Sequence, residues 1–234
     1  MPACLSPNCD SCPIRQAHAF CNLPQEAQEF LEANSISMEY PRGAVLFREG
    51  DRSNAIFTLC SGRVKVSASS REGRVMILRL AGPGSVLGMS AAFSEEPYET
   101  TVEALEPCHV RVLRTSALSV LLRDYPQAAV ALARSLAGEY KAAFEEARRI
   151  ALPASPAGRI ACLLLDWLAA EKGARKADTI TVTLTHDELA SMTATTRETV
   201  TRTLSRFKKD GIIKTHGVAF TVLQPSVLQQ LSAC

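Results

Sequence analysis

One stretch of this chain, residues 116–152, limits what the rest can fold into because it is almost free of helix breakers. It contains a single glycine, Gly138, and a single proline, Pro126. Apolar or small residues recur in it at alternating steps of three and four, which is typical of a helix with an apolar stripe. The stripe comprises Tyr125, Ala129, Leu132, Leu136, Tyr140, Ala143, Ala147 and Ile150.

A helix of about 25 residues is about 37 Å long at 1.5 Å per residue. A small β domain alone cannot cover a helix of that length. The sequence therefore favours a helix that pairs with a second copy of itself, because small residues allow two backbones to approach closely. Packing of the helix on its own domain is the alternative.

The region before this helix, residues 36–113, is made of short β-prone runs. They are residues 45–47, 55–59, 63–67, 75–80 and 110–113. Turn residues such as Pro41-Arg42-Gly43, Ser61-Gly62 and Gly82-Pro83-Gly84 separate them. Strands at a spacing of about 8–12 residues with glycine turns predict an antiparallel sandwich or jelly roll.

Composition excludes several classes of protein. The 234 residues are 47% hydrophobic and 21% charged, which is ordinary for a globular protein and argues against disorder. The N-terminus lacks the features of a signal peptide, and no apolar run is long enough to span a membrane, so we expect a cytoplasmic protein. No catalytic triad, nucleophile elbow, phosphate-binding loop or carboxylate pair is present, so we expect that the chain is not an enzyme. The net charge of +2 permits a nucleic-acid partner without requiring one.

Residues 185–211 carry the pattern of a helix-turn-helix. Thr185 and Glu188 form a capping box that opens one helix, and residues 193–195 are a turn-length break. A second helix runs from Thr196 to about Lys209, with Asp210-Gly211 closing it. Its inward face is Val200, Leu204 and Phe207, and its opposite face is polar. A β-like hairpin over residues 212–223 predicts a wing.

The polar face of this second helix has the chemistry of base recognition. Arginine can bond guanine O6 and N7 together, and glutamate can accept a hydrogen bond from cytosine N4. The predicted base-reading residues are Arg197, Glu198, Thr201 and Arg202. The predicted phosphate contacts are Lys208, Lys209, Lys214 and His216. Glu198 has a structural alternative, since an acid in the first turn of a helix is favoured by the helix dipole.

These motifs resemble the cAMP receptor protein/FNR family of bacterial transcription factors over nearly the whole chain. The resemblance is strongest at Leu-Thr-x-x-Glu-Leu-Ala from Leu184, Thr-Arg-Glu-Thr-Val-Thr-Arg from Thr196 and Gly-Ile-Ile-Lys-Thr-His-Gly from Gly211. It implies an α+β chain with an N-terminal β jelly roll of the cyclic-nucleotide-binding type, a long dimerisation helix and a C-terminal winged helix-turn-helix. It also implies palindromic double-stranded DNA, a second copy of the chain and RNA polymerase as partners.

The domains expected on this basis have the following bounds. Residues 1–25 form a cysteine-rich sensor arm, 26–115 the jelly-roll effector domain, 116–153 the dimerisation helix and 154–234 the DNA-binding domain.

The resemblance also indicates that the family's cAMP site is lost. Where cAMP-binding members carry a glutamate for the ribose, this chain has Met89, and their arginine-serine pair for the cyclic phosphate falls on Tyr98-Glu99. A carboxylate cannot hold a phosphate, and the sequence offers no other guanidinium nearby. We therefore expect the fold without cAMP binding.

Four of the eight cysteines lie in the first 21 residues, at Cys4, Cys9, Cys12 and Cys21. Thiolates at this spacing, C-x4-C-x2-C-x8-C, can hold a [4Fe–4S] cluster. A zinc site with the same ligands, a dithiol switch of Cys9 and Cys12, and unliganded thiols are alternatives. Cys60 and Cys162 lie in apolar runs and are expected to be small buried residues.

The arrangement at Cys9, Cys12 and Cys21 resembles the cluster arm of FNR-type oxygen sensors. Their fourth cysteine aligns here with Arg111, and Cys108 lies three residues earlier. The fourth ligand is then Cys4, with Cys108 as the alternative. The resemblance implies a regulator that responds to oxygen or redox state. A regulator that binds haem or another small ligand in its jelly roll, or one with a structural zinc, is the alternative.

Overall fold

The computed structural model describes Cys12, Arg15, His18 and residues 20–172, 179–181, 184–216 and 219–232. The chain divides into two compact units, Met1–Ala142 and Ala143–Cys234. None of the helices in the described part of the chain is long and apolar enough to cross a bilayer.

The first unit begins with a helix, α1 (Gln25–Asn34), and continues with strands. The strands are β1 (Ser35–Tyr40), β2 (Val45–Phe47), β3 (Ala55–Ser61), β4 (Val64–Ser69), β5 (Val75–Ala81), β6 (Val86–Leu87), β7 (Thr101–Ala104) and β8 (Cys108–Arg114). A short helix, α2 (Met89–Ser94), lies between β6 and β7. The strands of residues 35–114 form two antiparallel sheets, in the orders β1-β8-β3-β6 and β2-β7-β4-β5. The predicted jelly roll is confirmed.

Alternating side chains from the two sheets fill the space between them. In the β4–β7 pair, Val64 lies opposite Ala104 and Val66 opposite Val102, and all four are buried. Phe57 of β3 belongs to the same core. Residues two apart on a strand point to the same face, so the alternation seen in the sequence places these side chains inside.

The turn between β3 and β4 shows why glycine is required there. Gly62 has φ of +86°, a region that L-residues rarely adopt. A β-carbon at this position would lie 2.6 Å from the Cys108 sulfur and 2.6 Å from the Pro107 carbonyl oxygen. The backbone of β3 can therefore turn against β8 only if this residue has no side chain.

A second core lies on the outer face of the sheet that contains β3 and β8, under a helical layer. The helices are α1, α3 (Thr115–Asp124) and the first part of α4 (Pro126–Ala151). Ile56 and Leu113 point into this core from the strands. Phe20 and Leu23, which precede α1, are buried in it as well. The chain on both sides of Cys21, the last of the N-terminal cysteines, is thus anchored to the first unit, the effector unit.

The long helix predicted over residues 116–152 is divided at Tyr125 into α3 and α4. Tyr125 has φ of −127° and ψ of 87°, which is outside the helical region. A residue that precedes proline is sterically disfavoured in the α region, so Pro126 starts a new helix. This break was not predicted from the sequence.

The apolar stripe expected on the long helix separates into two rows in α4. Leu132 is buried in the core of its own unit, and Leu136 is partly buried against the same core. Tyr140, in contrast, is 76% exposed. A second row, also spaced by three and four, is exposed along the helix. It consists of Val130, Ala133, Ala137, Tyr140, Phe144 and Ala147.

The second unit contains the winged helix-turn-helix that the sequence predicts. Its elements are α5 (Pro156–Lys172), β9 (Thr179–Thr181), α6 (His186–Met192), α7 (Arg197–Lys209), β10 (Ile213–His216), β11 (Ala219–Val222) and α8 (Pro225–Ser232). The strands pair in the order β10-β11-β9. The sequence analysis did not predict α8. This helix packs so closely on α5 that a β-carbon at Gly158 would lie 2.7 Å from the Leu231 carbonyl oxygen.

We predict that Leu132→Ala destabilises the protein by about 3 kcal/mol, because it leaves a cavity in the core beneath α4. Leu152→Ala removes the same atoms from a leucine that is 53% exposed, and should cost about 0.5 kcal/mol or less. Equilibrium urea unfolding followed by circular dichroism measures both. Equal losses in the two variants would contradict the assignment of Leu132 to the core.

Candidate nucleic-acid interface and signal-input site

The first helix of the helix-turn-helix is fixed by the capping box that the sequence predicts. The Glu188 backbone N–H donates to the Thr185 hydroxyl oxygen at 3.2 Å. The Thr185 backbone N–H donates to the Glu188 carboxylate at 2.9 Å. These bonds satisfy donors that the start of a helix leaves unpaired. Behind them, Leu189 is buried on the inner side of α6.

The turn between α6 and α7 is held by a residue from outside the motif. Ala194 has φ of +46°, in the left-handed region. The Arg159 guanidinium of α5 donates to the Thr193 carbonyl at 2.7 Å and to the Ala194 carbonyl at 3.1 Å. The Thr193 hydroxyl donates to the Leu189 carbonyl at 2.7 Å. Arg159 thus stabilises the turn that sets the direction of α7, a role that the sequence analysis did not identify.

The two faces of α7 are as the sequence analysis expects. Val200, Leu204 and Phe207 are buried. The side chains expected to read bases are all exposed on α7. They are Arg197, Glu198, Thr201 and Arg202.

Glu198 also has a structural role in the free protein. Its carboxylate accepts hydrogen bonds from its own backbone N–H and from the Thr196 side chain, and these bonds lower the pKa of Glu198. Both groups belong to the N-terminal end of α7. The alternative considered for Glu198, an acid that satisfies the start of its helix, is therefore present in the structure.

The residues expected to contact phosphate lie at the end of α7 and in β10. Lys208, Lys209 and Lys214 are exposed. The backbone of His216 ends β10, while its side chain lies outside the described part of the chain. Arg206, which the sequence analysis left out, pairs with Asp210 at 3.5 Å on the same helix.

In the effector unit, the residues at the positions that the resemblance assigns to cAMP contacts pack within the protein itself. Met89 is 1% exposed. The Tyr98 ring stacks on Phe47 with 4.0 Å between ring centroids, and its hydroxyl donates to the Ala55 carbonyl at 2.7 Å. The Glu99 carboxylate accepts a hydrogen bond from the Ser90 hydroxyl at 2.7 Å.

A cavity of about 220 Å³ lies between this region and α4 within the first unit. It is lined in part by His18, Arg79, Met89, Ser135 and Glu139. Arg79 donates to Glu139 of α4 at 2.8 Å. Burial raises the pKa of Glu139, and Arg79 opposes this shift.

Arg79 adds a positive charge to this cavity. Its guanidinium lines the same cavity as Met89, the position that the resemblance assigns to the ribose contact, and it was not identified from the sequence. Burial lowers the pKa of His18, whose ring also lines this cavity. The His18 ring lies so close to Gly84 that a β-carbon there would be 2.1 Å from it.

The cysteines have different environments. Cys12 and Cys21 are partly exposed, and Cys4 and Cys9 lie outside the described residues. Within the described part of the chain, no group of three His, Cys, Asp or Glu side chains is arranged to hold a metal. Cys162 is buried as expected, but it is joined in a disulfide rather than carrying a thiol.

Cys108 is 3% exposed, and its thiol points at the backbone carbonyls of Arg63 and Glu106, at 3.4 and 3.1 Å. Burial, together with the charge of Glu106, raises the pKa of this thiol. A raised pKa disfavours the thiolate form that binds metals.

Two family models match the chain. Residues 37–125 match the cyclic nucleotide-binding domain, and residues 158–231 match the Crp-like helix-turn-helix domain. Among curated proteins, the CRP-like cAMP-activated global transcriptional regulator of Mycobacterium tuberculosis is 28% identical, and the match covers 87% of this chain and 91% of that protein. The cyclic AMP receptor protein of Thermus thermophilus is 27% identical, with 82% and 86% covered.

Solved structures have the same fold. A CRP-family transcriptional regulator from Thermus thermophilus superposes with a TM-score of 0.70 at 26% identity, covering 84% of this chain and 97% of that one. FixK2 from Bradyrhizobium japonicum superposes with a TM-score of 0.75 at 21% identity, covering 86% and 98%. The Mycobacterium relative and the Thermus structure are both described as transcriptional regulators, which are not enzymes. With a cyclic-nucleotide-binding fold followed by a Crp-like helix-turn-helix, the chain belongs to the CRP/FNR family of transcriptional regulators.

Proposed function

We propose that this regulator acts in the cytoplasm as a homodimer that reads a palindromic DNA site and responds to a signal other than cAMP. The observation that supports sequence-specific DNA binding is the exposed face of α7, where side chains that can recognise bases extend over about two turns. Arg197 and Arg202 can each bond a guanine, and Glu198 can accept a hydrogen bond from cytosine once DNA approaches its helix end. Thr201 lies between them on the same face.

Lys208, Lys209, Lys214 and His216 are the proposed phosphate contacts. Contacts to phosphate position a protein on the duplex without specifying sequence. Three of these residues have exposed side chains, and the lysines of α7 follow directly from the base-reading face. Their contribution should depend strongly on salt, because each neutralised phosphate releases a counterion.

We predict that Arg202→Ala weakens the free energy of binding to the preferred DNA site by about 1–3 kcal/mol and reduces the sequence preference at one base pair. Lys214→Ala should weaken all sequences about equally and reduce the salt slope of log K by about one. Fluorescence anisotropy on a selected site and on its single-base variants, at several salt concentrations, measures both effects. If Arg202→Ala behaved like Lys214→Ala, the assignment of Arg202 to base reading would be wrong.

The exposed row on α4 supports the homodimer. Val130, Tyr140 and Phe144 are 54%, 76% and 58% exposed, and small alanines separate them at heptad spacing. An apolar row of this kind is the seam of a two-helix coiled coil. A two-fold dimer would place two recognition helices about one DNA turn apart, which matches a palindromic site. RNA polymerase is the further partner that the family implies.

We predict that Tyr140→Glu weakens the dimer by about 3 kcal/mol, because each copy would bury a carboxylate in an apolar seam. That loss is more than a hundredfold in the dissociation constant. Phe93→Glu is the control, since Phe93 is 50% exposed on α2 and lies outside the seam. Sedimentation equilibrium measures the association. A dimer of unchanged strength in Tyr140→Glu would show that α4 does not form the interface through this row.

The absence of a cAMP signal rests on the side chains that replace the family's contacts. Tyr98 is buried among Phe47 and Phe57, and Glu99 is acidic. The Tyr98 hydroxyl already donates to the Ala55 carbonyl, and the Glu99 carboxylate repels a phosphate. The relatives named above are described as cAMP-activated or as a cAMP receptor, but this chain lacks the charges that the family resemblance assigns to that activity.

For the signal, we infer that Cys4, Cys9, Cys12 and Cys21 hold a [4Fe–4S] cluster, which when bound would supply chemistry sensitive to oxygen. Their thiolates are suited to such a cluster, and a zinc ion is the alternative for the same ligands. Cys21 directly follows Phe20, whose side chain is buried in the core shared with α4. Ordering of the arm can therefore affect that core. The buried Cys108, whose thiol is directed at backbone carbonyls, does not fit as the fourth ligand.

A second candidate signal is a small anionic ligand in the cavity at Arg79. This cavity contains a guanidinium, and its partner Glu139 lies on α4. A ligand that replaced Glu139 at Arg79 would release α4 from β5. Haem in the jelly roll is the other ligand of this class that the sequence leaves open.

We predict that anaerobic reconstitution gives the wild type about four irons and four sulfides per chain. Cys108→Ser should bind the same amount, and Cys4→Ser or Cys12→Ser should lose most of it. Iron and sulfide assays with absorbance spectra measure this. A wild type with no iron or sulfide would refute the cluster, and retained zinc would favour the structural metal. An organic ligand that copurifies with the quadruple serine variant of all four cysteines would favour the second candidate.

A further inference from the structure

The first two residues of α6 reach the base-reading face of α7. His186 Nδ1 lies 2.8 Å from the Thr201 hydroxyl oxygen. That hydroxyl donates to the Arg197 carbonyl at 2.9 Å. One carboxylate oxygen of Asp187 lies 3.8 Å from the Arg197 guanidinium. Two of the four proposed base-reading residues are therefore contacted from the preceding helix.

Asp187 places a negative charge on a surface that is otherwise mostly positive. The exposed surface of α7 is rich in arginine and lysine, as expected where phosphates approach. The acidic residue within α7, Glu198, is hydrogen-bonded to the N-terminal end of that helix. Asp210, which follows the C-terminal end of α7, pairs with Arg206. Asp187 adds a carboxylate, 68% exposed, beside Arg197. A carboxylate near DNA repels phosphates, so its presence there weakens general affinity.

We propose that Asp187 is a positioning residue that sets the sequence specificity of Arg197. The proposal rests on the base-reading role of Arg197 proposed above. Asp187 holds the guanidinium where it can reach a base edge and opposes its movement towards a phosphate. His186 supports the same face through Thr201.

The physical reason lies in the freedom of arginine. A long side chain loses rotamer entropy when it forms a bidentate contact, and orientation before binding reduces that loss. An unrestrained arginine can instead bind a phosphate, which gives affinity for any sequence. An exposed ion pair changes such an equilibrium by at most about fivefold. The effect of Asp187 on specificity should therefore be modest and measurable.

The test compares Asp187→Asn with two matched variants of the full-length chain. Asp210→Asn removes the same charge from a carboxylate that pairs with Arg206. Asp187→Glu keeps the charge next to Arg197. For each protein, the dissociation constants for a selected site and for random duplex DNA are measured at several salt concentrations.

In Asp187→Asn, we expect affinity for random DNA to rise and the specificity ratio to fall about threefold. The salt slope of log K should become steeper by about one, because Arg197 gains a phosphate contact. Asp210→Asn should keep the specificity ratio, and Asp187→Glu should restore most of it. If Asp187 only stabilised the start of α6 through its charge, Asp187→Asn would lower the melting temperature and leave the salt slope of log K unchanged.

Two results separate this proposal from the proposed function. If Arg197→Ala lost base preference while Asp187→Asn kept the wild-type ratio and slope, the positioning role would be wrong and base reading would stand. If Arg197→Ala kept every base preference, base reading by Arg197 would be wrong.

A measurement on the free protein decides the positioning role without DNA. Nitrogen-15 relaxation of the Arg197 guanidinium should show faster motion in Asp187→Asn than in the wild type and in Asp210→Asn. Equal motion in all three proteins would overturn the proposal.

Discussion

The structure depends on one helix, α4, that is apolar on two faces. Its first face, which includes Leu132, is buried with Phe20 and Leu121 in the core of the effector unit. Its second face, which includes Tyr140, is exposed. A helix with both faces apolar requires two partners, and its own unit supplies one of them. The residues that hold the first face, including Phe20 and Leu23 on either side of Cys21, also fix the direction in which the second face points. Through this coupling, the signal proposed for the arm would affect assembly.

The DNA-binding motif could be predicted nearly in full because its signals are local. Thr185 and Glu188 bond each other across one helical turn, and Gly211 ends α7 with φ of +66°. Sequence spacing encodes such short-range contacts directly. Arg159 could not be identified in this way, because it reaches the turn at Ala194 from 35 residues earlier in the chain. Asp187 could not be identified from spacing either, because its partner Arg197 lies across the turn.

In the effector unit, most strands could be predicted from the sequence, but the side of each element that faces the core was harder to predict. The spaced β-prone runs identified most strands, but β6 has only two residues and offers no periodicity. The two rows of α4 are offset by only two residues at Val130 and Leu132, so helical spacing alone could not tell which row enters the core. Arg79 was missed for a different reason. The pairing of β4 with β5 shifts register between Val66 and Ser67. Such an irregularity changes which side of the sheet the following side chains face, so simple alternation fails there.

The same region contains the residues on which the proposed change of signal depends. Tyr98 lies at the position that the resemblance assigns to a phosphate-binding arginine, and its ring packs on Phe47 as part of the core. The guanidinium near the cavity comes instead from Arg79, and Glu139 of α4 neutralises it. Both partners are largely removed from water, and burial raises the pKa of Glu139. Removal of one partner from a buried pair leaves an uncompensated charge and costs more than the pair itself contributes. An input acting here must therefore replace Glu139 with another anion, or act on the arm where His18 lies against Gly84. In both cases the input reaches α4 through contacts within the effector unit.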